Sequence, residues 1–355
     1  MAVNVIKPTF TNGLDEVIEI NGRHSENFMQ PEAVEIRRQY RLEHPTEIAA
    51  FKCMDGRLHL AGMTQTPMGI INPWQNIGSR FNLEWLAFQQ QVASWLQYCK
   101  ANGRPCLAII TYHFSRGDIC RGCKGFNYDT SQARAAALQL KAQFDQVFAK
   151  TKFDRAIVCG IETDDDALIL HGENGQTIDL STILGANEDD LRQLLTEFYP
   201  LMSPNMREDL LPLVKGNVAH IAEVRASNRP PVALEHCEWI IGIGRGFDWL
   251  HMANKALIMG PFDPNLETNI EIAGDLILSN LREGRINGKV VLMSAALYRD
   301  PSDFEPALAT IKAEAFYRMA YRVIDEKVPD LLPHLERAAV TVDMTTRRLK
   351  VLQRG

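Results

Sequence analysis

Apolar residues in this chain follow two patterns. Short unbroken runs alternate with longer stretches in which apolar residues return at three- and four-residue steps. The runs predict strands buried on both faces, as in a parallel sheet, and the stepped stretches predict amphipathic helices. Strands are expected at Ile48-Ala49-Ala50-Phe51, at Met68-Gly69-Ile70-Ile71, and over residues 106–113, 155–161 and 167–171. The second should stop at Asn72-Pro73, because proline cannot donate to a ladder. If the first strand runs on through Arg57, alternation places Cys53, Asp55 and Arg57 on one face. A helix is expected from a cap at Asn82 to about Lys100, with Trp85, Phe88, Val92, Trp95 and Cys99 as a core-facing stripe. Another should run from about 130 to 149, capped by Asp129.

The flanks are less regular. Residues 1–45 read as an extended arm, of the kind that often wraps a partner subunit, and a short charged helix over 31–43. Residues 176–235 read as mostly helical, with breaks at Ser203-Pro204-Asn205 and Arg229-Pro230-Pro231, the second a candidate domain boundary. From about 236 the pattern starts again. Trp239 begins a strand-plus-turn segment, Met259-Gly260-Pro261-Phe262-Asp263-Pro264 resembles residues 68–73, and Val290-Val291-Leu292-Met293 repeats the buried strand. This predicts an internal duplication: an arm over 1–45, a first copy over 46–235 and a second over 236–355. In the second copy Gly244, Gly246 and Asp248 stand where Cys53, Asp55 and Arg57 stand in the first. Tyr298 stands where His113 does.

With 355 residues, 46% hydrophobic and 23% charged, the chain fits a two-domain globular protein. A net charge of -6 and no Lys/Arg-rich run argue against nucleic acid or an acidic membrane as partner. Residues 1–12 lack the pattern of a signal peptide. No apolar run reaches the roughly 18 residues needed to span a bilayer. Seven cysteines suit reduced thiols of a cytoplasmic protein better than a disulfide framework.

The candidate chemistry gathers at predicted strand ends. Alone, Cys53-Met54-Asp55-Gly56-Arg57 reads as a buried cysteine beside an ion pair. His113 then ends the strand over 106–113, and Cys120 and Cys123 follow in a polar loop. Open α/β sheets place ligands at the carboxyl ends of strands. Cys53, His113 and Cys123 would make a tetrahedral zinc environment, with the fourth position left for water. Asp55, fixed by Arg57, would accept the hydrogen bond of that ionised water and orient it toward an electrophile. The competing arrangement closes the site with Cys120 as a fourth ligand, giving a structural zinc scaffold.

The order Cys-x-Asp-x-Arg on the first strand, an Asn-containing turn, then a strand ending in His with a Cys in the next loop resembles the β-class carbonic anhydrases. The long gap from His113 to Cys123, Gly122-Cys123-Lys124-Gly125 with Asp129-Thr130, and Gly160-Ile161-Glu162-Thr163-Asp164-Asp165-Asp166-Ala167 are similar to the carboxysomal shell subfamily. The resemblance covers about 46–175 well and 236–325 weakly. It implies an α/β fold with a mostly parallel sheet flanked by helices, and a catalytic copy followed by a degenerate one. It implies Zn2+ held by Cys53, His113 and Cys123, with Asp55 and Arg57 as the catalytic dyad. The expected reaction is reversible hydration of CO2 to bicarbonate and a proton. Phe51, Ile70 and Tyr112 are candidate walls by proximity in sequence. Carbon disulfide or carbonyl sulfide as substrate, or a non-catalytic zinc scaffold, are the alternatives. Only about 45 residues precede the first strand, where that subfamily carries a helical domain. A carboxysome-like but free cytoplasmic homodimer is therefore expected.

Other features carry less. Gly242-Ile243-Gly244-Arg245-Gly246 lacks the third glycine of a dinucleotide loop, since position 247 is Phe247. Asp164-Asp165-Asp166 reads as a solvated turn and His59 as a surface histidine.

Overall fold

The computed structural model describes residues 13–151, 154–227, 229, 234–250 and 254–355. Two helices come first, α1 (Leu14–Phe28) and α2 (Pro31–Glu43). The strand β1 (Glu47–Cys53), a single turn α3 (Leu60–Met63), β2 (Ile71–Asn76), α4 (Leu86–Ala101) and β3 (Cys106–Phe114) follow. Then come α5 (Thr130–Phe148), β4 (Arg155–Glu162), β5 (Ala167–His171), β6 (Thr177–Asp179), α6 (Glu188–Phe198) and α7 (Pro204–Ala226). The remainder holds β7 (Ile240–Gly244), β8 (Ala256–Met259), α8 (Leu266–Arg282), β9 (Val290–Tyr298), α9 (Glu305–Lys327), β10 (Leu335–Asp343) and β11 (Leu349–Arg354).

The strands form two mixed, mostly parallel sheets flanked by helices. The first has the order β2-β1-β3-β4-β5-β6 and the second β11-β10-β9-β7-β8. Read from the other edge, the second sheet has the order of the first without β6. In each, the first four strands are parallel and the next is antiparallel. The helices α8 and α9 join their strands as α4 and α5 join theirs. Unbroken apolar runs produce the parallel strands because both faces are covered: every residue of β1 after Glu47 is buried, as is all of β7.

The two sheets meet along β2 and β8. The Gly260 N–H donates to the Gln75 carbonyl at 2.7 Å, and the Ile258 N–H to the Met54 carbonyl at 3.1 Å. Trp74 stacks on Phe262 across this seam, with ring centroids 5.2 Å apart. One continuous apolar cluster runs through both sheets. No helix among the described residues is long and apolar enough to cross a membrane.

Several expectations are corrected. The strand β1 ends at Cys53; Asp55-Gly56-Arg57 is a turn in which Asp55 Oδ1 accepts the Arg57 N–H at 2.9 Å. An Asp side chain that bonds the backbone two residues on competes with ladder pairing, which alternation alone does not register. Pro73 lies inside β2 rather than ending the strand before it. β2 is an edge strand paired with β1 alone, so no ladder bond is lost. Asn82 caps a turn, accepting the Glu84 N–H at 2.9 Å, and α4 begins at Leu86. Four of the five expected stripe residues, Phe88, Val92, Trp95 and Cys99, are buried on it; Trp85 precedes the helix as its half-buried N-cap. Asp129 caps α5 through the Ser131 and Gln132 N–H groups, as expected.

The arm reading of 1–45 omits α1. This helix packs on the chain's own second sheet, with the Leu349 N–H donating to Asn21 at 2.9 Å and Ser25 Oγ to the Thr346 carbonyl at 2.8 Å. Residues 1–12 of the arm, and Pro230-Pro231 of the candidate boundary, lie outside the described residues. The strand β6 and the β10–β11 pair were not anticipated.

Candidate metal centre

Three strand-end segments of the first sheet converge on Cys53. It is the last residue of β1, and His113 is the next-to-last of β3. Cys123 comes from the loop between β3 and α5, which folds back as two short helical turns. Glycines allow the approach. Gly78, at φ +63°, donates its N–H to Cys53 Sγ at 3.2 Å. A Cβ on Gly125 would lie 2.9 Å from the Gly78 backbone, so the two loops can close around the sulfur only without side chains there.

The result is a buried group of three metal-ligating side chains, Cys53, His113 and Cys123, whose donor atoms all lie within 4.8 Å of one another. The two sulfurs are 4.0 Å apart. Neither ring nitrogen of His113 has a hydrogen-bond partner, although the residue is 2% exposed. Such a buried, unpaired imidazole is costly unless something occupies its nitrogen. The Cys53 thiol is held well below its ordinary range, first by the hydrogen bond from Cys123 and then by His113, against the effect of burial. The group can therefore hold a metal ion. Cys120 is exposed and lies outside it.

Asp55 and Arg57 form a fully desolvated pair beside this group. Asp55 Oδ1 accepts Arg57 Nε–H at 3.0 Å, and Oδ2 accepts Nη2–H at 2.6 Å. Burial alone would raise the Asp55 carboxyl; Arg57 and then His236 override it and hold the carboxyl below the usual carboxylate range. Asp55 Oδ2 lies 3.9 Å from His113 Nε2. Arg57 is itself anchored at three more points: the carbonyls of Leu234 (3.0 Å) and Arg121 (2.8 Å), and His236 Nε2 at 3.1 Å.

His236 and Glu238 are the residues that the sequence reading missed. They precede β7 and come to the first sheet's site from the second half of the chain. Glu238, 0% exposed, pairs with His236 Nδ1 at 3.1 Å and accepts the Gly56 N–H at 3.1 Å. A guanidinium can only donate, so His236 Nε2 accepts from Arg57 and Nδ1–H donates to Glu238. Asp55, His236 and Glu238 are close enough to form a second cation-binding group. The Arg57 guanidinium stands among them, so they form an ion-pair network. Their only sequence signal was a His-x-Glu ahead of an apolar run.

The other candidates fall elsewhere. Tyr112 donates to or accepts from His171 Nε2 at 2.9 Å, on the sheet face opposite His113, and does not wall the site. Phe51 sits in an aromatic cluster with Trp74, Phe81, Phe88 and Phe144. His59 is half-buried rather than on the surface, and burial lowers it to about 3. The acidic turn is tied into ion pairs, Asp165 to Arg225 at 2.7 Å and Asp166 to Arg229, and Asp166 also hydrogen-bonds His220 at 3.0 Å.

In the second half the matching positions are built differently. Gly244 has φ +117°, and a Cβ there would come within 2.0 Å of the Ala295 carbonyl oxygen. Gly246 has φ +97°. Asp248 is paired with Arg347 at 3.2 Å. No ligand thiol fits at 244 without moving the backbone. No family model matches this chain, and no curated protein does.

Proposed function

We propose that the chain is a zinc-dependent enzyme that hydrates CO2 reversibly to bicarbonate and a proton. The observation that carries this reading is the buried Cys53–His113–Cys123 group with Asp55 locked onto Arg57 beside it. Two thiolates and an imidazole suit zinc, and zinc–sulfur bonds of about 2.3 Å in a tetrahedron put two sulfurs about 3.8 Å apart. The separation here is 4.0 Å. A His113 ring nitrogen without a hydrogen-bond partner is free to take a ligand bond. With Cys120 outside the group, the described residues offer three donors there, the number typical of catalytic rather than structural zinc. When bound, zinc supplies a Lewis acid that lets water ionise near neutral pH.

The chain's own residues supply the orientation. Ionised Asp55 is an acceptor only, so a water beside it must present hydrogen to Oδ2 and turn a lone pair toward CO2. The two Arg57 bonds fix that carboxylate in advance, so no reorganisation is needed during reaction. His236 Nε2, backed by the buried Glu238, accepts a further N–H of Arg57 and so helps hold the guanidinium against Asp55.

Stopped-flow hydration of CO2 with a pH indicator tests the reading on protein of known zinc content. Hydration should scale with bound zinc, stop on chelation and return when zinc is restored. Zinc-loaded protein that leaves CO2 untouched would overturn it.

A further inference from the structure

A cleft of about 600 Å³ opens where β2 meets the ends of β7 and β9. It occupies, in the second half, the strand-end position that the donor group occupies in the first. Five cationic side chains and three carboxylates line it, in a chain whose net charge is -6. The carboxylates are already committed. Asp248 pairs with Arg347 at 3.2 Å and Glu47 with Arg104 at 3.1 Å. Glu305 accepts the backbone N–H groups of Arg299 and Asp300 at 2.6 and 3.1 Å.

Four of the cations have no such partner; one of them, Arg41, donates to the Gly69 carbonyl at 2.8 Å, and the other three face the cleft together. No carboxylate among the described residues lies within ion-pair distance of Arg245, Arg299 or Lys312. Arg245, half-buried in the floor, donates to neutral oxygens, Gln91 Oε1 at 3.1 Å and Asn72 Oδ1 at 3.3 Å, and lies over the Trp74 ring at 4.6 Å. Arg299 and Lys312, exposed at the rim, lie over Tyr98 and Phe316. Burial, and then Arg299, push Arg245 down to about 10; burial, and then Arg245, lower Lys312. Arg245 thus faces like charge on Arg299 and on Lys312 across a concave, partly desolvated space. A guanidinium fork with unspent donors is the group that suits a planar or tetrahedral oxyanion best.

We propose that this cleft binds a small multivalent oxyanion of metabolite size, a phosphate ester or a polycarboxylate, with Arg245 as its anchor and Arg299 and Lys312 meeting its outer charges. The proposal does not depend on the reading of the metal group.

The test is isothermal titration calorimetry of the full chain with sodium tripolyphosphate and with sodium citrate, near neutral pH and at constant ionic strength. Saturable binding of at least one probe is expected, and the preferred probe distinguishes phosphate from carboxylate chemistry. The Arg299→Ala/Lys312→Ala pair removes two exposed side chains, so the fold should persist while affinity falls about tenfold or more. Arg245→Gln should abolish binding; if that variant does not fold, the rim pair decides. Arg282→Gln, at a surface ion pair with Asp330, should change nothing. No saturable heat with either probe, or unaltered affinity in the rim pair, overturns the proposal.

Discussion

The strand ends of the two sheets make an instructive pair. Apart from β6, the two sheets share one strand order, and each gathers distinctive side chains beyond the carboxyl ends of its parallel strands. In the first, β1 ends in Cys53, His113 is the next-to-last residue of β3, and the following loop returns Cys123 to meet them. In the second, β7 ends in Gly244 at positive φ against the Ala295 carbonyl, and the cleft gathers Arg245, Arg299 and Lys312 instead. A few side chains, and the glycines that decide how closely loops approach, set what each group of strand ends can hold. The halves are also not independent, because His236 and Glu238 of the second complete the ion-pair network of the first.

The strongest way to break the contrast is Cys53→Ala. Changes to groups that merely orient a ligand cost about 10–100-fold in metal affinity or activity, and loss of a ligand should exceed that. Zinc content by mass spectrometry should fall from near stoichiometric to a small fraction, and hydration with it. Undiminished zinc would move the metal site elsewhere. Asp55→Asn comes next, leaving Arg57 buried and uncompensated at a cost of about 3–5 kcal/mol in denaturant titrations near neutral pH. The Asp55 carboxyl is depressed in the folded state, so its contribution is present above the ordinary carboxylate pKa. The gap between wild type and variant should therefore be full at neutral pH and shrink as pH falls below about 4. A gap that widens in acid would contradict the pairing.

Attempting to install a ligand in the second half should fail for a structural reason. Gly244→Cys places a Cβ in the path of a backbone carbonyl at a glycine-only φ, and should cost about 3 kcal/mol without raising zinc content. A stable variant with added zinc would show that the second position is closed by residue choice alone. The smallest effect belongs to Cys120→Ser. An exposed side chain outside the donor group should leave zinc content unchanged and stability within about 0.5 kcal/mol. Loss of metal there would restore the four-ligand scaffold.

The apolar pattern was enough to place β1, β3, β4 and β5 and the buried stripe of α4, because burial on both faces writes itself into local sequence. It also placed the buried strands β7 and β9 of the second sheet. Helix α1 escaped because its pattern lies in a segment read as an arm. The three donor residues were legible as residue types near strand ends, but alternation along a continued strand was the wrong reason for Asp55 and Arg57. The Asx turn at Asp55 brings them together, and a turn's side-chain bond is invisible to periodicity.

By itself, then, the sequence determined the alternation of strands and helices and the stock of thiols, imidazole and carboxylate at their ends. Those follow from local hydrophobicity and residue chemistry. Only the tertiary structure decided that Cys123 rather than Cys120 joins Cys53 and His113. It alone brought His236 and Glu238 across to Arg57, and left Arg245, Arg299 and Lys312 facing one cleft without carboxylate partners. Each of those outcomes depends on contacts between residues far apart in the chain, and no local pattern encodes which distant segments the packing of two sheets will press together.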